Sequence, residues 1–183
     1  MMQRLVALVG LVTLIAGAAA AQDKPAVKAA PAPMAIITLE KGGEIMLEFW
    51  PQDAPKHVEN FVKLAKEKFY DGQRVHRVEP NFVVQFGDPQ SRTLPVTDPK
   101  MGSGGPGYTI KAEFNKRPFE RGVLGMARAN DPDSGGSQVY IMLGPAPFLN
   151  GKYTAFGRVA SGMGVVDQIK VGDRIKSIRI VTN

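Results

Sequence analysis

From Met34 onward, apolar and polar positions alternate in short runs. MAIITLE at 34–40 and EIMLEFW at 44–50 read as two strands, and Lys41-Gly42-Gly43 between them supplies the positive backbone angles of a tight hairpin. The period then lengthens. Val58, Phe61, Val62, Ala65 and Phe69 recur at helical spacing, which predicts a helix with Asp53 as its cap, Pro55 in its first turn and Gly72 as its stop. Further strands are predicted over 74–78, 82–86, 123–127, 138–143, 154–159 and 174–181. A shorter second helix fits 164–172, with Val165, Val166 and Ile169 inward. Many short strands, glycine-rich turns and only two helices predict a mainly β domain over 34–183, an antiparallel barrel or sandwich whose open ends the helices cover.

The residues before 34 follow neither period. Arg4 precedes an apolar run over 5–15 and a small-residue run over 18–21 that contains A-x-A sites. That is the composition of a signal peptide over 1–21, cleaved after Ala20 or Ala21. An uncleaved anchor over 5–21 is the competing reading, and the alanine-rich end favours removal. Residues 22–33, QDKPAVKAAPAP, carry no apolar period and read as an extended tether. No later segment is apolar enough to span a bilayer. The expectation is therefore a protein exported to a bacterial periplasm, with no stable membrane insertion after cleavage.

Composition narrows the chemistry. A chain of 183 residues suits one domain with an appendage, and the absence of cysteine removes disulfides and thiol catalysis. The net charge of +6 falls to +5 without Arg4. Basic residues are scattered among acids, as in Lys63, Lys66, Glu67 and Lys68, which suits a solvated helix face rather than a nucleic-acid stripe, so no nucleic acid is expected as a partner. GSGGPG at 102–107 has the letters of a dinucleotide fingerprint. It lacks the strand before and the helix after, because Pro95 and Pro99 break the approach and Tyr108-Thr109-Ile110 follows as extended chain. DPDSGG at 131–136 begins like a calcium loop but puts Gly135 and Met142 at ligand positions. His57 and His76 are too few to complete a zinc site, and Ser137 lacks the closing glycine of a nucleophile elbow. The expectation is no metal and no cofactor.

What remains is RVHRVEPNFVVQFGDP at 74–89, two strand-like runs around Pro80 that hold a permanent cation, Arg77, among residues suited to a core. This segment resembles the F-H-R-x-x-P-x-F-x-x-Q-x-G-D hallmark of the cyclophilin family of peptidyl-prolyl isomerases. The match is through His76, Arg77, Pro80, Phe82, Gln85, Gly87 and Asp88, with Val75 in place of the first Phe. GSGGPGY at 102–108, GVLGMARA at 122–129, GGSQVYI at 135–141 and FLNGKYTAFGRV at 148–159 follow in the family's order, so the resemblance spans 36–181. It implies a closed eight-stranded antiparallel β-barrel capped by two α-helices. Glu79, Val83, Arg128, Tyr140, Phe148 and Tyr153 depart from the best-known eukaryotic pattern; the last four stand where that pattern has Asn, Phe, Trp and His.

The resemblance also implies roles. Arg77, Gln85 and Phe82 would be catalytic, and Phe82, Val83, Tyr140, Phe148 and Leu149 would wall an apolar proline pocket. Gln85 would orient Arg77. Gln138 and the main chain of Ala127, Arg128 and Ala129 would hold the segment before proline, Tyr153 would contact the moving carbonyl, and Gly102 would let substrate approach closely. His76 would lie at or under the site, while His57 reads as an ordinary helix-surface residue. Chemically, an Xaa-Pro bond is held planar by a barrier of about 18–20 kcal/mol. At the twisted midpoint the imide nitrogen regains a lone pair, and a donor aimed at it stabilises that state selectively. An arginine guanidinium is such a donor, charged at any physiological pH. Two readings compete: a surface pair of Arg77 with Glu79, and, suggested by the altered Val75, Glu79 and Tyr153, a peptide-binding chaperone with little turnover. The expected partners are proline-containing unfolded or partly folded polypeptides, met by a monomer.

Overall fold

A computed structural model describes residues 32–181. The predicted signal peptide and most of the tether lie outside the described residues. Eight strands form one antiparallel sheet: β1 Met34–Leu39, β2 Glu44–Phe49, β3 Arg77–Glu79, β4 Val83–Phe86, β5 Val123–Met126, β6 Val139–Met142, β7 Ala155–Ser161 and β8 Ile175–Val181. Two α-helices accompany them, α1 Pro55–Lys66 and α2 Met163–Asp167. The alternation read from the sequence is the alternation of burial. Ala35, Ile37 and Leu39 of β1 and Ile45, Leu47 and Phe49 of β2 face inward. Gly42 and Gly43, at φ 93° and 95°, turn the hairpin between them, and a side chain at Gly43 would sit 2.8 Å from Val165 of α2.

The sheet runs β3-β4-β6-β5-β7-β2-β1-β8 and does not close. It is a curled half-barrel, which corrects the closed barrel expected from the resemblance. The reason lies at the seam. Residues 72–75 and 172–175 exchange backbone hydrogen bonds, Gly72 to Ile175 and Val75 to Asp173 among them, but only as the isolated bridge Arg74↔Arg174. The predicted strand over 74–78 is thereby used up crossing the seam, and β3 begins only at Arg77.

Both helices are shorter than their periodicity suggests. α1 ends at Lys66 because Lys68 takes a positive φ of 58°, so Phe69 and Tyr70 fold back from the turn rather than along the helix. Asp53 does not cap α1; it pairs with Arg117 at 2.7 Å. Glu113, distant in sequence, caps it instead, accepting the main-chain N–H groups of Lys56 and His57 at 3.0 Å each. α2 stops at Asp167 because side chains satisfy the backbone beyond it: Lys41 Nζ donates to the Gln168 carbonyl and Asp173 accepts the Lys170 N–H.

Two apolar clusters hold the sheet. The larger fills the inside, where Phe61 of α1 lies 5.3 Å from Phe49 and 5.1 Å from Tyr70. Burying each such ring contributes about 1.5–3 kcal/mol. The smaller lies on the opposite face of β4, β5 and β6 and contains Val83, Phe119, Val123, Tyr140, Met142 and Leu149. These strands are therefore covered on both faces, which is why VLGM and VYIM read as unbroken apolar runs. Among the described residues no helix is long and apolar enough to cross a membrane.

Candidate active site

Strand register builds the site. Arg77 of β3 stands opposite Gln85 of β4, Gln85 opposite Tyr140 of β6, and Tyr140 opposite Gly125 of β5. Residues directly across a ladder share a face, so one row crosses four strands with its side chains in line. Gly125 completes it by having no side chain, since a Cβ there would lie 2.4 Å from the Tyr140 ring.

Along this row hydrogen bonds run in a single sense. Arg77 Nη1 donates to Gln85 Oε1 at 3.2 Å, Gln85 Nε2 donates to Gln138 Oε1 at 3.0 Å, and Gln138 Nε2 donates to the carbonyls of Gly102 and Gly104 at 2.8 Å each. The loop that receives the chain is itself fixed from beneath. The fully buried Asp88 carboxylate accepts the N–H groups of Gly102 at 2.6 Å, Gly104 at 3.2 Å and Gln90 at 2.8 Å. Gly104 passes so close that a Cβ would lie 2.1 Å from Asp88 Oδ1. The sequence reading gave neither residue a role; the signal available was an Asp closing a strand before a glycine-rich loop.

Arg77 retains freedom above this anchored chain. Its side chain is 46% exposed, its Nε lies 3.5 Å from Glu79 Oε1, and its Cζ lies 5.6 Å from the centre of the Phe82 ring. The predicted surface pair with Glu79 and the predicted bond to Gln85 thus coexist.

Beside Arg77 opens a pocket of about 150 Å³. Phe82, Val83, Tyr140, Leu149, Ala127 and Tyr153 make its walls, and Arg77, Gln85 and Arg128 its polar edge. Tyr153 meets Tyr140 edge-on at 6.3 Å. Phe148 does not line it; that ring is 63% exposed and rests 5.7 Å from Phe82, extending the apolar rim. A larger groove of about 680 Å³ adjoins, formed by 102–109, by Ala127, Arg128 and Ala129, and by Gln138. Gln85, Ala127 and Arg128 border both cavities. The main-chain N–H groups of Ala127 and Ala129 are already engaged, by the Gln138 carbonyl and by Ser134 Oγ at 2.9 Å each.

The histidines play other parts. His76 lines neither cavity, and both its ring nitrogens are buried without a hydrogen bond. Burial lowers its pKa and the nearby Arg77 charge adds to the shift, against the pull of the Asp88 carboxylate. His57 is 1% exposed rather than on the surface, with Nδ1 2.7 Å from Glu113 Oε2; burial lowers its pKa too, and Glu113 opposes the shift. The Tyr140 hydroxyl is buried without a partner, and burial pushes its pKa up. Among the described residues no group of His, Cys, Asp or Glu is placed to hold a metal ion.

An apolar pocket flanked by a cation and by amide groups suits binding and reorienting a peptide segment. Comparison with known proteins agrees. The family described as cyclophilin type peptidyl-prolyl cis-trans isomerase/CLD matches residues 34–182. Peptidyl-prolyl cis-trans isomerase B of Bacillus subtilis is 46% identical over 144 residues, 78% of this chain and 94% of its own. A peptidyl-prolyl cis-trans isomerase of Synechococcus elongatus is 44% identical over 151 residues, 81% of this chain and 97% of its own. Among solved structures, a Cryptosporidium parvum cyclophilin type isomerase, crystallised in the presence of the dipeptide Ala-Pro, superimposes with a TM-score of 0.69 at 28% identity. That alignment covers 82% of this chain and 99% of the other. The chain belongs to the cyclophilin-type peptidyl-prolyl cis-trans isomerases.

Proposed function

We propose that this isomerase rotates Xaa-Pro bonds by aiming Arg77 at the prolyl nitrogen while the 150 Å³ pocket holds the proline ring. The observation that carries the reading is the Arg77–Gln85–Gln138 chain at the pocket's edge. Gln85 is fixed at its far end by Gln138 and the Gly102 and Gly104 carbonyls, so it offers Arg77 a stationary acceptor. A guanidinium held on one side and open on the other can follow the nitrogen as it becomes pyramidal, at little reorganisation cost. No proton moves and no covalent bond forms. The apolar walls exclude water, which strengthens the single charge-assisted bond when it forms.

The substrates proposed are proline-containing unfolded or partly folded polypeptides, and the leader-like composition of 1–21 supports a role in folding exported proteins in the periplasm. The protein is proposed to act as a monomer. The test is exchange spectroscopy on an Ala-Pro peptide. Arg77→Ala removes a charge-assisted hydrogen bond of about 1.5–3 kcal/mol, which predicts roughly a ten- to hundredfold loss of kcat/KM. Glu79→Gln, which deletes only the surface partner, should keep activity within about twofold, in line with the small worth of exposed pairs. Full activity in Arg77→Ala would overturn the mechanism. Peptide binding without turnover in the wild type would favour the chaperone reading, for which the 3.5 Å approach of Arg77 to Glu79 is the supporting observation.

A further inference from the structure

We infer that Arg128 selects substrates with an acidic residue at one of the two positions before proline; this rests on the isomerase reading of the groove. Arg128 stands at the junction of the two cavities and lines both. Its guanidinium lies 4.4 Å from the centre of the Tyr153 ring, so the face of the group is fixed. Its N–H groups go to main-chain carbonyls: Nη1 to Ala129 at 2.8 Å and Asn130 at 3.2 Å, Nη2 and Nε to Lys152 at 3.0 Å and 3.4 Å. Carbonyls position a cation without cancelling its charge.

No Asp or Glu lines either cavity; the charged side chains that do are Arg77 and Arg128. Asp131 and Asp133, the nearest acids in sequence, turn their carboxylates to the main-chain N–H groups of Asp133 and Ala112. They soften the local field but do not pair with the guanidinium. Arg77 bonds Gln85, approaches Glu79, and on the proposed mechanism serves the bond that rotates. Arg128 has neither duty. Chain leaving the proline pocket for the larger groove passes Gln85, Ala127 and Arg128, the residues common to both, and a carboxylate carried there meets a cation already in place. A lysine in the same position is repelled.

The experiment measures kcat/KM by exchange spectroscopy for Ala-Glu-Pro and Glu-Ala-Pro peptides, their lysine counterparts and an Ala-Ala-Pro reference, with wild type, Arg128→Gln and Arg128→Lys. In wild type one glutamate peptide should exceed its lysine counterpart by about fivefold, combining an attraction and a repulsion each of the size exposed ion pairs show. That ratio should fall toward one in Arg128→Gln and in about 0.5 M salt, and largely return in Arg128→Lys, whatever happens to the absolute rates. Equal use of all peptides by wild type, or a ratio that survives Arg128→Gln, would overturn the inference and leave the isomerase reading standing. Failure to turn over even Ala-Ala-Pro would overturn the isomerase reading, and this inference with it.

Discussion

Tyr140 helps wall the pocket at a cost to stability. It is 5% exposed and its hydroxyl has no hydrogen bond, a condition that costs about 1–3 kcal/mol for a buried polar group. Tyr140→Phe should therefore raise stability by about 1 kcal/mol, seen as a higher urea midpoint with an unchanged slope. A midpoint that stays or falls would mean the hydroxyl has found a partner, such as an ordered water. Arg77, Gln85 and Phe82 could be named from the chain because the hallmark segment they resemble sets their spacing, and the fold brings all three to one pocket. The roles of Asp88 and Gly104 could not. Their importance is a contact between residues 16 apart across a loop, and no periodicity connects a carboxylate to the backbone that will pass over it.

The α1 helix shows the same limit in a longer piece of chain. Its buried face follows from 3.6-residue spacing, but its start is secured by Glu113, which lies 57 positions from the Lys56 N–H it accepts. A carboxylate at a helix start also meets the favourable end of the helix dipole. Glu113→Ala should cost about 1–2 kcal/mol in chemical denaturation, the range of lost helix caps. Asp53→Ala, which removes an exposed pair with Arg117, should cost less than about 1 kcal/mol. The reverse order would restore Asp53 as the cap. Strands β5 and β6 were legible as strands but not as two-sided ones: an apolar run announces burial without saying that one face closes the interior and the other packs into a second, smaller cluster.

Acid sensitivity belongs to the assembled fold, because one buried and one half-buried histidine report on the packing around them. His57 and His76 both have pKa values lowered by burial, below the value near 6.5 at which each titrates in unfolded chain. The unfolded state then binds more protons below that value. The stability contribution of each is complete above about pH 6.5 and is lost as pH falls through it toward the native pKa. Urea midpoints measured from pH 8 to pH 5 should drop below 6.5, and His76→Gln should flatten part of the drop; a flat wild-type profile would refute the assignment. The composition of the sheet was legible as eight strands, whereas its failure to close was not, since closure depends on whether 72–75 and 172–175 pair as a ladder or as a single bridge. Side chains alternate along a strand, so sliding β4 by one position against β3 would swing Gln85 to the interior and Phe86 outward. On the proposed mechanism such a slip would break the Arg77–Gln85 pairing as well as expose Phe86, so turnover would serve as an assay of correct threading.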